Sequence, residues 1–135
     1  MRPAQVWISL TIALAMLCAP GALAADKALE VIFGAWGKVD QDPKARGCRS
    51  YTNRVDGDYF VMSKGYIKTG GDCVCILEGS RPASSCFDVN LFCRCEDGIT
   101  VRRRYQTLCP TGRRSRLDVT EDGETIAYER CRNRR

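Results

Sequence analysis

Two Cys-x-Cys pairs, Cys73-Val74-Cys75 and Cys93-Arg94-Cys95, constrain this chain more than any other feature. Residues i and i+2 of a β-strand point to the same face of a sheet, so each pair puts two sulfurs on one side of its strand. If residues 73–77 and 91–95 are antiparallel strands about a connection centred near Ser84, Cys73 faces Cys95 and Cys75 faces Cys93. Two arrangements satisfy that register. One is a pair of cross-strand disulfides, 73–95 and 75–93; the other is a four-thiolate site for zinc or cuprous copper. A slip of one residue would turn every sulfur to the opposite face.

The address of the chain bears on that choice. Met1-Arg2, an almost unbroken apolar run over residues 6–17 and the small-x-small step Ala22-Leu23-Ala24 read as a signal peptide, residues 1–24, cleaved near Ala24-Ala25. Leu17 ahead of Cys18 does not fit a bacterial lipoprotein signal. The run is too short to span a bilayer, and no later stretch approaches the length of a membrane helix, so no transmembrane segment is expected. The expected location is the periplasm or the extracellular medium, with residues 25–135 forming one disulfide-rich β domain.

Beyond residue 24 stand eight cysteines: Cys48, Cys73, Cys75, Cys86, Cys93, Cys95, Cys109 and Cys131. An even count in a short exported chain reads as a disulfide framework, and reduced thiols do not persist in an oxidising compartment. Disulfides are therefore expected, with no metal and no cofactor. A domain this small buries limited apolar surface, and each bridge contributes about 2–4 kcal/mol.

The expected fold class is mainly β: a small disulfide-stapled antiparallel meander, barrel or half-barrel of seven or eight strands. Leu29, Ile32, Phe33 and Trp36 follow the spacing of one helical face with Asp26 as N-cap. Gly34 and the β-branched pair Val31-Ile32 shorten that element to a helix or turn running into Trp36. Residues 38–47 read as a polar loop. Residues 49–55 and 58–63 read as strands about the turn Asp56-Gly57, and residues 65–68, 73–77 and 87–95 as further strands. Residues 78–85 read as a loop around Pro82. Asp97-Gly98 turns into a strand over 99–108, and Asp122-Gly123 joins strands 116–120 and 125–131.

The chain contains no histidine. That removes Ser-His and Cys-His nucleophile pairs, imidazole metal ligands and the ordinary general base near neutral pH. The aspartates sit mostly in turns, where backbone geometry alone favours them. No catalytic residue is assigned, and the protein is not expected to be an enzyme.

Charge is placed unevenly. Residues 25–93 carry nine basic and nine acidic side chains, whereas residues 94–135 carry eleven arginines, no lysine and seven acids. A solvated surface accounts for such a surplus; an anion-facing patch is the functional alternative, since arginine binds carboxylate and phosphate bidentately. Arg102, Arg104, Arg113, Arg114 and Arg116 are the candidate contacts for an anion or partner. Strand alternation sets Ile99, Val101, Arg103 and Tyr105 on one face, so Arg103 is expected among apolar neighbours; a bulge, an acid or an anionic ligand would accommodate it there, and pairing within the fold is the expectation. Aromatics are not interleaved with the arginines as stacking platforms, so nucleic acid is not an expected partner.

Gly34-x-Trp36, Cys48, the paired cysteines, the Asp-Gly turns and the terminal Tyr128-Glu129-Arg130-Cys131 resemble small exported cysteine-bearing proteins of alphaproteobacteria. That resemblance implies a fold and an address but no activity. The Gly-x-Trp start is also similar to lipocalin-like barrels, including periplasmic metalloprotease inhibitors. Two functions follow as expectations for a monomer. One is an exported binding module acting on an unknown protein or anionic envelope component, as an inhibitor of an envelope or secreted hydrolase. The other is a carrier of a small or anionic ligand using the barrel mouth and its arginines. A metal-binding Cys-x-Cys protein is the third reading. An open apolar cavity would favour the carrier, a filled core with exposed aromatic or Arg loops the binder.

Overall fold

The computed structural model describes residues 27–40, 47–71, 73–96, 98 and 101–132, apart from the side chain of Arg113. The segment read as a signal peptide, the Asp26 cap and most of the 38–47 loop lie outside them, as do Asp97 and Ile99. Eight antiparallel strands close into a barrel in sequence order: β1 Gly34–Lys38, β2 Tyr59–Ser63, β3 Tyr66–Thr69, β4 Cys73–Ala83, β5 Cys86–Cys95, β6 Val101–Thr111, β7 Arg116–Glu121 and β8 Glu124–Arg130. Closure comes from β1 pairing with β8, Trp36 opposite Arg130 and Lys38 opposite Tyr128. The apolar residues point inward: Trp36, Phe60, Met62, Ile67, Val89, Leu91, Leu108 and Leu117 form the core. That is the reverse of a membrane-spanning barrel, whose apolar band faces out. No helix among the described residues is long and apolar enough to cross a membrane.

The N-terminal element is shorter than the apolar spacing suggests. Residues 27–29 are α-helical and run into a 3-10 turn, Glu30–Ile32, that lays Leu29 and Ile32 into one end of the barrel. Trp36 is not on that helical face. It lies in β1, fully buried, and its Nε1 donates to Ile32 O at 2.8 Å. Gly34 makes the break between the two, at φ +127°, a conformation that L side chains rarely adopt. Arg130 then spans the junction. Its guanidinium lies 4.3 Å from the Trp36 ring centroid and donates to Phe33 O at 2.8 Å, Val31 O at 2.7 Å and Arg114 O at 3.2 Å. One cation thus binds the turn before β1, the loop after β6 and the core tryptophan. This is the closed end.

Three sequence expectations are corrected. Residues 49–55 are not a strand: Gly47–Asn53 is a helix, α1. Asp56-Gly57 accordingly closes no hairpin, because β1 already pairs with β2 and leaves no slot between them. Close backbone contact fixes α1 in place, since a Cβ on Gly37 would stand 2.1 Å from Cys48 N and one on Gly47 2.0 Å from Asp58 O. The helix ends at Arg54, φ 57°, with Val55 N bonded to Ser50 O and Arg54 N to Tyr51 O, a Schellman pair.

Residues 78–85 are not a loop either. β4 and β5 continue past a register shift between Leu77 and Gly79 to a tight turn after Ala83. Pro82 is tolerated because β3 pairs with β4 only as far as Ile76, so its missing N–H costs no ladder bond. The third correction is Arg103. It lies on the outer face, exposed, 3.3 Å from Glu78, because β6 turns Val101, Arg103 and Tyr105 outward and Arg104, Gln106 and Leu108 inward.

All eight cysteines form bridges: 48–131, 73–95, 75–93 and 86–109. The two Cys-x-Cys pairs meet in the register that symmetry about Ser84 implies, and no thiolate remains there for a metal. Both of those bridges close nearly the same loop, with separations of 22 and 18 residues, whereas 48–131 spans 83.

Two outcomes are expected in denaturant unfolding. Replacing Cys48 and Cys131 with Ser should cost roughly 4 kcal/mol by loop-closure entropy, while Cys73→Ser with Cys95→Ser should cost less than about 1 kcal/mol, since 75–93 still closes that loop. Equal losses would overturn the redundancy. Arg130→Ala should cost about 2–3 kcal/mol, and Arg130→Lys should recover little of it, because an ammonium cannot span three carbonyls and stack on the indole.

Candidate functional site

Opposite the closed end, the starts of β2, β4, β6 and β8 and the ends of the other four strands surround a mouth. A cavity of about 410 Å³ opens there. Its floor is apolar: Phe60, Ile67, Leu91 and Val119, with the Cys75–Cys93 bridge in one wall. Its rim is polar, with Asp58 and Thr69 on one side and Arg104, Gln106 and Tyr128 on the other. Strand alternation produces this layering. β6 turns Arg104, Gln106 and Leu108 inward in succession, so polarity falls along the strand from the mouth to the core.

The charge that lines the cavity from β6, Arg104, is matched. Arg104 Nε donates to Glu121 Oε1 at 2.7 Å, and its Nη2 also donates to Glu121 Oε2. Gln106 Nε2 donates to Glu121 Oε2 at 2.8 Å. These bonds hold the Glu121 carboxyl below the usual glutamate range, Arg104 contributing most, and the same pairing raises the Arg104 guanidinium above its usual value. Tyr128 packs edge-on against Phe60, with ring centroids 4.9 Å apart. Burial, and then the charge of Asp58, push its phenol above the ordinary tyrosine value, so it stays a neutral hydroxyl at the mouth.

The five candidate arginines do not form one patch. Arg102 is exposed at the mouth, and Arg104 points into the barrel and is paired. Arg114 lies in the 3-10 turn Gly112–Arg114 after β6, at the closed end, where its carbonyl accepts from Arg130. Arg116 is exposed and 3.4 Å from Asp118; the Arg113 side chain lies outside the described part of the chain. Gln106, Glu121 and Tyr128 were missed as site residues. Period-two alternation along β6 would have put Gln106 beside Arg104, but nothing local in the sequence joins β6 to Glu121 fifteen residues on.

No family model matches the sequence, and neither a curated protein nor a solved structure matches it. The site therefore speaks through its geometry alone.

Glu121 gives the site a pH signature. Its carboxyl is held low in the folded state, so the stability it contributes is complete above the ordinary glutamate value and disappears as pH falls through the depressed one. Glu121→Gln should cost about 1–2 kcal/mol at neutral pH, a figure reduced for partial exposure. The gap between variant and wild type should close in acid. A gap that does not change with pH would show that the pair contributes nothing electrostatic.

Proposed function

We propose that this protein is an exported, non-enzymatic carrier that holds one small amphipathic molecule in the barrel mouth. The observation that carries the reading is the cavity itself. Its volume of about 410 Å³ lies within the roughly 300–1,000 Å³ of small-molecule sites, and a few polar groups stand over an apolar floor. A filled core would have supported the macromolecular binder or hydrolase inhibitor instead. The four disulfides are compatible with export.

The polar end of the ligand meets Arg104, Gln106 and Tyr128. Glu121 already neutralises Arg104, so a carboxylate ligand would bring an extra charge to a balanced site. The proposed ligand is accordingly neutral at its polar end, such as an alcohol or amide on a short apolar chain. Its apolar part lies against Phe60, Ile67, Leu91 and Val119.

Displacement of an environment-sensitive dye by 1-decanol and by decanoate tests this. Wild type should bind decanol more tightly than decanoate, and Val119→Trp, which fills the floor, should weaken decanol at least about ten-fold. Glu121→Gln frees Arg104 and should reverse the preference. Dye and decanol binding unaltered in Val119→Trp, or no binding at all, would defeat the carrier reading.

A further inference from the structure

The outer face of β3–β6 carries two rows of cross-strand neighbours, Tyr66–Ile76–Phe92–Arg103 and Lys68–Val74–Arg94–Val101. Among the described residues eight large apolar side chains are exposed, and five of them, Tyr66, Val74, Ile76, Val101 and Tyr105, stand on this one face. Single exposed apolar residues are ordinary on any protein; a contiguous set is not. Lys68, Arg94 and Arg103 are set among them. Glu78 lies within 3.3 Å of Arg103, while Lys68 and Arg94 have no ion pair among the described residues.

We infer that this face docks the protein on an anionic lipid bilayer surface. The inference stands apart from the carrier reading, since none of the face's central residues lines the mouth cavity. Three physical features select the partner. Like charges oppose a second copy of the same face and favour a negative surface. At the centre, β4 and β5 are hydrogen-bonded to neighbours on both edges, so a partner chain cannot be added as a strand there. The wall of a barrel is convex, and Val74, Ile76, Phe92 and Arg94 line neither the mouth nor the groove beside Asp88. A rigid protein partner would need a matching hollow. A bilayer interface yields around a convex patch: Val74 and Ile76 enter the headgroup–acyl boundary, the stems of Lys68 and Arg94 lie along it with their charges at the phosphates, and Tyr66 and Tyr105 sit at the edge.

The test is flotation with phosphatidylcholine vesicles, with and without phosphatidylglycerol. All proteins begin at Ala25, the expected mature start, so residues 6–17 take no part, and the barrel elements all lie within residues 27–132. Wild type should float with the anionic vesicles and be released by salt. Lys68→Ser with Arg94→Ser should weaken binding about 25-fold, five-fold per cation. Val74→Ser with Ile76→Ser should weaken it about ten-fold while leaving the salt dependence in place. Near-ultraviolet circular dichroism and four intact disulfides verify that each variant is folded. Equal flotation of wild type and both variants, or none with anionic vesicles, would overturn the inference. So would retention of an acidic protein through these residues without vesicle binding, which would make the face a protein interface.

Discussion

The Arg130 guanidinium over Trp36 is the contact on which the rest of the barrel depends. An eight-strand barrel must close, and β1 is a short strand of five residues, Gly34–Lys38, held between β2 and β8. Its entry is held by the helical turn that precedes it, and that turn is joined to β8 through Val31 O and Phe33 O on Arg130. The Cys48–Cys131 bridge secures the same region from the other side, tying α1 to the residue after β8. A planar cation suits the position because it satisfies several carbonyls and stacks on an aromatic face at once. Desolvation lowers its pKa from the ordinary arginine value, yet guanidinium remains charged at any physiological pH.

With one end sealed by side chains, the opposite end is free to be hollow. Inward positions near the closed end hold Trp36, Met62 and Leu108, all almost without exposure, whereas those near the mouth hold Thr69, Arg104 and Gln106. The tandem bridges contribute there in a way that large side chains would not. Cys73–Cys95 and Cys75–Cys93 fix β4 to β5 on the inner wall with little volume, so the wall is stiff while the space in front of it stays open.

The arginine surplus divides into several structural roles. Arg130 is a clamp, Arg104 an inward charge matched by Glu121, and Arg116 a surface cation beside Asp118. Arg94 and Arg103 stand on the outer wall among apolar neighbours. The charge excess is therefore not one binding patch, because alternation sends neighbouring arginines of β6 to opposite sides of the wall.

Much of this fold is legible in the sequence because its signals are local. Period-two spacing within Cys73–Cys75 and Cys93–Cys95 sets the sulfur faces, and symmetry about Ser84 sets their register. Asp122-Gly123 makes its hairpin because both residues take positive φ, 50° and 83°. What the tertiary structure alone decided is of three kinds. Residues 49–55 have β-like neighbours, yet 49–53 are helical because the β1–β2 pairing and the backbone contact of Gly37 with Cys48 leave no place for a strand. Which face of β6 is the interior could not be read from Val101 and Tyr105, since alternation establishes two faces but not which one the barrel encloses. The Arg104–Glu121 and Arg130–Trp36 contacts join residues 17 and 94 positions apart, and only closure of the sheet brings them together.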